Sequence, residues 1–300
     1  MTGIVNRGAA AALRGRPEGP LRAQCEVLAS DRIGAYHSLT FVAPEIAERA
    51  RPGQFVSIGV DGSGTVLRRP FSIYQVGEHG PSVGTVDVVF DVLGPGTAWL
   101  AGRGMHDLVD LVGPLGRPFV LPVQPVSCLL VGGGYGAAPL LFLAQALQRE
   151  GLRVDMILGA ASEERVFNAM RAKRLSASAV FTTDDGSLGE QGVVTDVFER
   201  VVDGAGTGVV YACGPMAMLA ATAAKSKARD LPCQVAVEEQ MACGTGVCWT
   251  CVIPVQREHG LSNVRACTDG PVFDAARVAW RAIGTTAMSD LGACGRQERT

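Results

Sequence analysis

The chain has 300 residues, 47% of them hydrophobic and 19% charged, with 27 basic side chains against 29 acidic ones and a formal charge of -2. That length holds two or three compact units, and the composition excludes a disordered or fibrous protein. So even a charge leaves no basic field, and neither nucleic acid nor an anionic membrane surface is an expected partner.

Residues 1–20 carry Arg7, Arg14 and Arg16 among small residues, with no apolar run long enough for export or membrane spanning. They read as a flexible tail, with an organelle transit peptide as the alternative. Without an export signal the expected location is cytoplasmic, where nine cysteines serve as metal ligands or buried apolar groups rather than disulfides.

Residues 21–122 are β-rich, with short apolar or alternating runs such as Gln54-Phe55-Val56-Ser57-Ile58 and Thr85-Val86-Asp87-Val88-Val89-Phe90 between glycine and proline punctuation. This texture predicts an antiparallel β-barrel without a long helix. Between two such runs lies Arg68-Arg69-Pro70-Phe71-Ser72, which can offer a fixed cation and a hydroxyl to a diphosphate and a flavin edge. Taken alone, the same segment reads as an ordinary surface strand.

Residues 123–240 alternate apolar strands with helical patterns: a strand at 127–131, a helix at 138–150, a strand at 153–158, a charged helical stretch at 163–174 and a strand at 179–182. Closing strands follow at 208–212 and 234–237. That is βαβ texture and predicts a Rossmann-like parallel sheet. Gly132-Gly133-Gly134-Tyr135-Gly136 follows the first strand and opens the first helix, the context in which backbone amides and a helix N-terminus meet a pyrophosphate. The acid expected at the end of the second strand is missing: the sequence there is Leu158-Gly159-Ala160-Ala161, and Asp155 comes too early. Ser162 and Arg165 lie beyond that strand and can meet a 2′-phosphate, so the choice between NADH and NADPH stays open on the residues alone.

Residues 241–273 are short, glycine-punctuated and rich in cysteine, too small to be expected to fold without a metal. Cys243, Cys248, Cys251 and Cys267 follow the order Cys-x4-Cys-x2-Cys, then fifteen residues, then Cys. That is the plant-type spacing for a [2Fe-2S] cluster, with Gly244 and Gly246 permitting the tight loop. A four-cysteine zinc site usually shows two Cys-x2-Cys pairs instead. Cys25, Cys128, Cys213, Cys233 and Cys294 lack ligand spacing, and His37, His79, His106 and His259 are scattered without partners. Residues 274–300 form a tail, with a helical pattern near 273–283.

From residue 21 to 273 these motifs, in order, resemble the electron-transfer subunits of class B dihydroorotate dehydrogenase, a family of ferredoxin reductase-like flavoproteins. The resemblance runs through Arg69-Pro70-Phe71-Ser72, Val89-Phe90-Asp91, Gly96-Thr97, Gly113-Pro114-Leu115-Gly116 and the Gly132 turn. It continues through Thr183-Asp184-Asp185-Gly186-Ser187, Cys213-Gly214-Pro215, the run Glu238 to Cys243, and Cys267-Thr268-Asp269-Gly270-Pro271. It implies FAD contacts from Arg69, Pro70, Phe71, Ser72, Val89, Phe90, Asp91, Gly96 and Thr97. It implies NAD(H) contacts from Gly132, Gly134, Gly136, Gly214 and Pro215, with Cys213 where the family sets the nicotinamide against the flavin. It also implies a [2Fe-2S] cluster on Cys243, Cys248, Cys251 and Cys267. Asp91 departs from the family, which usually carries Arg there, and an acid beside a diphosphate is unfavourable. The implied fold is an FAD-binding barrel, an α/β nicotinamide domain and a small cluster domain. The implied partner is an FMN-containing catalytic subunit of pyrimidine biosynthesis in a heterotetramer. Two alternatives stay open: a related NAD(P)H reductase subunit serving ferredoxin, sulfide or hydrogenase partners, and a zinc-stabilised binding module.

Overall fold

In the computed structural model residues 19–62, 64–77 and 82–284 are described, so that residues 1–18 of the expected N-terminal tail, His79, Cys294 and residues 285–300 lie outside. Strands β1 (Leu21–Ile33), β2 (Tyr36–Val42), β3 (Phe55–Ile58), β4 (Arg69–Val76), β5 (Thr85–Phe90) and β6 (Leu108–Leu115) close into a barrel. Their order is β1-β2-β5-β4-β3-β6, and every neighbouring pair is antiparallel. β-branched and aromatic side chains drive it, because Val27, Leu39, Phe41, Val56, Ile73 and Phe90 fill the interior while the alternate residues face outward. Two short helices, α1 (Pro44–Arg49) and α2 (Pro95–Ala101), begin with proline, whose fixed φ suits the first helical turn.

The second unit is a sheet of β7 (Ser127–Gly133), β8 (Val154–Ala160), β9 (Ser178–Thr183), β10 (Glu190–Gln191), β11 (Thr207–Cys213) and β12 (Cys233–Ala236). Between them run α3 (Ala138–Arg149), α4 (Ala169–Arg174), α5 (Phe198–Ala205) and α6 (Met216–Ala228). With β15 (Val272–Asp274) the order is β10-β9-β8-β7-β11-β12-β15, parallel except for the last strand. The strand order reverses direction between β7 and β11, which is where doubly wound sheets open a crevice for a ligand. β7 is apolar on both faces because helices cover both.

Three local readings differ from the structure. The helical stretch at 163–174 becomes a 3₁₀ turn, Glu163–Arg165, and a short α4. Asn168 separates them by adopting φ +42° and capping α4, its Oδ1 accepting from Arg171 N at 3.3 Å. The pattern at 273–283 forms no α-helix: Val272 and Phe273 pair with the open edge of β12, and only the 3₁₀ turn Trp280–Ala282 follows. The segment after residue 240 is more than a ligand loop. It holds a hairpin, β13 (Val252–Arg257) and β14 (Gly260–Arg265), whose Ile253, Val255 and Val264 pack beneath the α/β sheet.

The cores cross these units. Tyr36, Tyr74 and Val89 of the barrel pack with Leu140, Leu143 and Phe167 of the α/β unit. The opposite side of the sheet shares its core with Cys251, Ile253 and Cys267, and with Phe55 and Leu115 of the barrel.

Candidate functional site

On the barrel, β4 places Arg69, Pro70, Phe71 and Ser72 opposite Ile58, Ser57, Val56 and Phe55 of β3. The two adjacent arginines differ in their surroundings. Arg68 binds the Asp110 carboxylate at 3.0 Å and the Ser57 carbonyl at 2.8 Å. Among the described residues Arg69 donates to main-chain carbonyls, Leu67 at 2.7 Å and Arg68 at 3.5 Å. Its guanidinium crosses Gly96, where a Cβ would stand 2.7 Å from Nε. Thr97 Oγ1 accepts from the amides of Leu93 and Gly94, fixing the entry to α2. Ser72 is exposed. Val89 and Phe90 point their side chains into two different cores, so only their main chain is left for a ligand. Asp91 reaches across to the α/β unit, where its carboxylate accepts Arg165 Nη1 at 3.0 Å.

The crevice at the strand reversal has a volume of about 500 Å3. One wall is the turn Gly133 to Gly136, another is Pro215 and Met218, and Tyr36 of the barrel and Glu238 complete it. β7 and β11 pair with Gly132 opposite Cys213, which brings the two predicted nicotinamide motifs side by side. They touch main chain to main chain: a Cβ on Gly136 would lie 2.7 Å from Gly214 Cα, an approach only glycine allows. Gly134 takes φ +54°. The Cys213 thiol is 8% exposed and does not itself line the crevice. Burial, and then the nearby Glu238, push it up to about 12, so it is neutral at physiological pH and no nucleophile. Tyr135 Oη donates to Glu238 Oε1 at 3.1 Å, and burial raises the phenol well above its ordinary value.

The cysteine loop rests on the barrel, since a Cβ on Gly244 would meet Phe55 and Leu115 at 3.5 Å. The thiols lie close enough to influence one another, Cys243 with Cys248 and Cys267 with both Cys251 and Cys243. Cys243 Sγ accepts from the amides of Thr245 at 3.4 Å, Val247 at 3.3 Å and Cys248 at 3.5 Å. Burial alone would raise this thiol, but the amides of Cys248 and Thr245 outweigh it and bring it down to about 6. The Cys267 amide donates to Cys251 Sγ at 3.4 Å, and Thr250 Oγ1 to Cys248 Sγ at 3.2 Å. Among the described residues no three His, Cys, Asp or Glu side chains converge as they would on a single ion. Four cysteines at the plant-type spacing, with backbone amides aimed at sulfur, fit a two-iron cluster.

Residues 130–224 match the profile of an oxidoreductase NAD-binding domain, and residues 238–279 match that of the iron-sulfur cluster binding domain of dihydroorotate dehydrogenase B. A protein of Desulforamulus reducens named dihydroorotate dehydrogenase B (NAD(+)), electron transfer subunit, is 37% identical over 81% of this chain and 92% of its own length. One of the same name from Bacillus caldolyticus is 38% identical over 84% and 96%.

The chain belongs to the family of dihydroorotate dehydrogenase B electron transfer subunits.

Among solved structures, that of an NADH-dependent reduced ferredoxin-NADP oxidoreductase, studied for flavin-based electron bifurcation, is 30% identical with a TM-score of 0.74. It is matched over 86% of this chain and 91% of that one. The ferredoxin reductase in carbazole 1,9a-dioxygenase, 19% identical with a TM-score of 0.59 over 71% and 67% of the two chains, shares the fold. For this electron transfer subunit the family carries FAD, NAD(H) and a [2Fe-2S] cluster as expected cofactors, and the residues in place fit all three. Arg69 has no carboxylate partner among the described residues, Gly96 leaves it room, and the cleft and thiol loop have the shapes described above. Sequence reasoning missed Tyr36, Thr182 and Glu238 as parts of the cleft. Tyr36 lies in a barrel strand remote from every motif, and its position beside the cleft exists only after the two units dock. Asp184, also in the wall, was visible within the Thr183 to Ser187 signature but had no role.

Proposed function

We propose that this chain binds NAD(H) in the cleft between β7 and β11, FAD along Arg69 to Ser72, and a [2Fe-2S] cluster on Cys243, Cys248, Cys251 and Cys267. It would exchange electrons with an FMN-containing dihydroorotate dehydrogenase catalytic subunit in pyrimidine biosynthesis. Bound FAD supplies the exchange between two-electron hydride and one-electron cluster chemistry. The protein holds the three sites together: the thiol loop rests on Phe55 and Leu115, and β3, which bears Phe55, pairs with the strand of the FAD motif. That packing is the observation that carries the reading. Arg69 would hold the diphosphate, and the neutral Cys213 and Pro215 would set the nicotinamide ring in place. Glu238 and Tyr135, bound to each other, would close the cleft on the side of the thiol loop.

Cys248 is exposed, and Val247 and Trp249 beside it are 79% and 40% exposed, a partly apolar face suited to a partner subunit. We place the protein in the cytoplasm, where its eight described cysteines, all free, stay reduced. No helix of the described residues is long and apolar enough to cross a membrane. The test is a visible spectrum with iron, sulfide and flavin assays on anaerobically purified protein, then NADH titration and co-purification. About two irons and one FAD per chain, bleached by NADH, with a dihydroorotate-oxidising subunit retained, is the expected result. Zinc without flavin would overturn it. Retention of a ferredoxin instead would favour the reductase alternative, to which the 30% identical structure points.

A further inference from the structure

Resting on the [2Fe-2S] reading, we propose that Trp249 holds the Arg265 guanidinium against the ligand loop, and that this fixed cation raises the reduction potential of the cluster. The first observation concerns the backbone. Trp249 stands between the ligands Cys248 and Cys251 with φ +57°, a left-handed conformation that is costly for a bulky side chain. Glycine takes it freely, as Gly244 and Gly246 do in the same loop at φ +70° and +84°. Such strain points to a role for the ring. The ring does not serve the core, since Trp249 is 40% exposed. Its contact is with Arg265, whose guanidinium carbon lies 4.8 Å from the ring centre.

Arg265 is tied to the loop on its other sides as well. Its Nη1 donates to Gly246 O at 2.9 Å, its amide donates to Asp269 Oδ2 at 3.0 Å, and its Nε stands 3.5 Å from the same carboxylate. Gly246 lies between Cys243 and Cys248, and its amide faces the Cys267 thiol. One residue thus stands between the guanidinium and a ligand sulfur. Arg117 donates to Thr268 O at 3.3 Å, so two cations border the ligand segment against the Asp269 carboxylate.

Reduction of a two-iron cluster on four thiolates makes no bond and breaks none. One electron arrives from reduced FAD, one ferric iron becomes ferrous, and an already anionic group gains one negative charge. A neighbouring cation lowers the energy of the more negative state, and its effect is largest when it is fixed and partly shielded from water. The Arg265 side chain is 32% exposed and spans ring, carbonyl and carboxylate, which holds its charge in place. A higher cluster potential draws electrons from the flavin.

The experiment uses the full chain with its cofactors, purified anaerobically, and reads the cluster potential by spectroelectrochemical titration beside iron and sulfide content. Arg265→Gln keeps a donor for Gly246 O and removes the charge. It is expected to hold full iron and to shift the oxidised-to-reduced ratio at a fixed potential about tenfold toward the oxidised form, about 59 mV for one electron. Arg265→Lys, which keeps the charge, is expected to stay within about twofold of the wild type. Trp249→Gly eases the backbone and frees the guanidinium, so full iron with a ratio shifted about threefold the same way is expected. An unchanged potential in Arg265→Gln, or an equal fall in Arg265→Lys, overturns the proposal. If Arg265→Gln alone loses iron, Trp249→Gly decides, and an unchanged potential there overturns it. Loss of iron in both variants also overturns it, because the pair is then a structural tie. If the wild-type chain holds zinc or no iron, the cluster reading itself falls and takes the proposal with it.

Discussion

Arg68 and Arg69 are neighbours in sequence with opposite fates. Arg68 is consumed by Asp110, while Arg69 keeps its charge beside Gly96. Arg69→Ala should therefore release flavin, with FAD affinity falling about tenfold to a hundredfold while the circular dichroism spectrum is unchanged. Asp110, 5% exposed, has the complementary role. Burial alone would raise its carboxyl, but hydrogen bonds from Arg22 and Arg68 hold it below the ordinary range. A depressed folded-state value means stability that is present above the unfolded value near pH 4 and lost as pH falls through the lower one. Asp110→Asn should cost about 2 kcal/mol in urea unfolding at pH 7, and the difference should shrink below about pH 4. Cys213 gives a negative expectation. With its thiol pushed up to about 12, the rate of flavin reduction by NADH should carry no thiol titration between about pH 6 and pH 9. A step near pH 8 that vanishes in Cys213→Ala would contradict this.

Elements meet through small numbers of polar contacts. β4 and α4 are joined where Asn168 Nδ2 at 3.0 Å and Arg171 Nη1 at 2.5 Å both donate to Tyr74 Oη, and Arg171 also reaches Gln75. Arg171 lies over the Tyr74 ring at 4.8 Å, and Phe167 meets that ring edge-on at 5.3 Å. Tyr74→Phe keeps the ring and leaves two donors short of an acceptor. It should cost about 1–2 kcal/mol, read as a lower denaturation midpoint. The thiol loop depends on backbone instead. Gly246 takes φ +84°, and a Cβ there would stand 2.8 Å from Thr268 Cγ2. Gly246→Ala should lower iron and sulfide content while flavin content holds, because the strain falls on the loop and not on the barrel.

At the scale of the whole molecule, the three units share their cores. One apolar cluster joins the barrel to α3 and β8, and another joins the sheet to the thiol segment. β15 extends the α/β sheet from within the segment that carries the cysteines, and Arg117 of the barrel donates to Gly270 O at 2.6 Å. The cluster segment is thus tied to both other units. The proposed partner would then dock at the exposed Val247 and Trp249. Val247→Asp should weaken retention of the catalytic subunit about tenfold or more while iron and flavin content stay at the wild-type level. Equal retention would move the docking face elsewhere.

The sequence by itself determined the motifs, though not the helical stretches read at 163–174 and 273–283. The cysteine spacing points to a two-iron loop, the glycine turn after a strand to a nucleotide crevice, and alternating apolar runs to a barrel, since each signal is a pattern along the chain. The tertiary structure decided what depends on residues far apart. It set Tyr36 of the barrel in the wall of the cleft, and paired Asp91 with Arg165 across 74 positions. It drew 272–274 into β15, because an open strand edge outweighs a weak helical pattern. Strand register sets which side chains share a wall, and register forms only when the sheet closes.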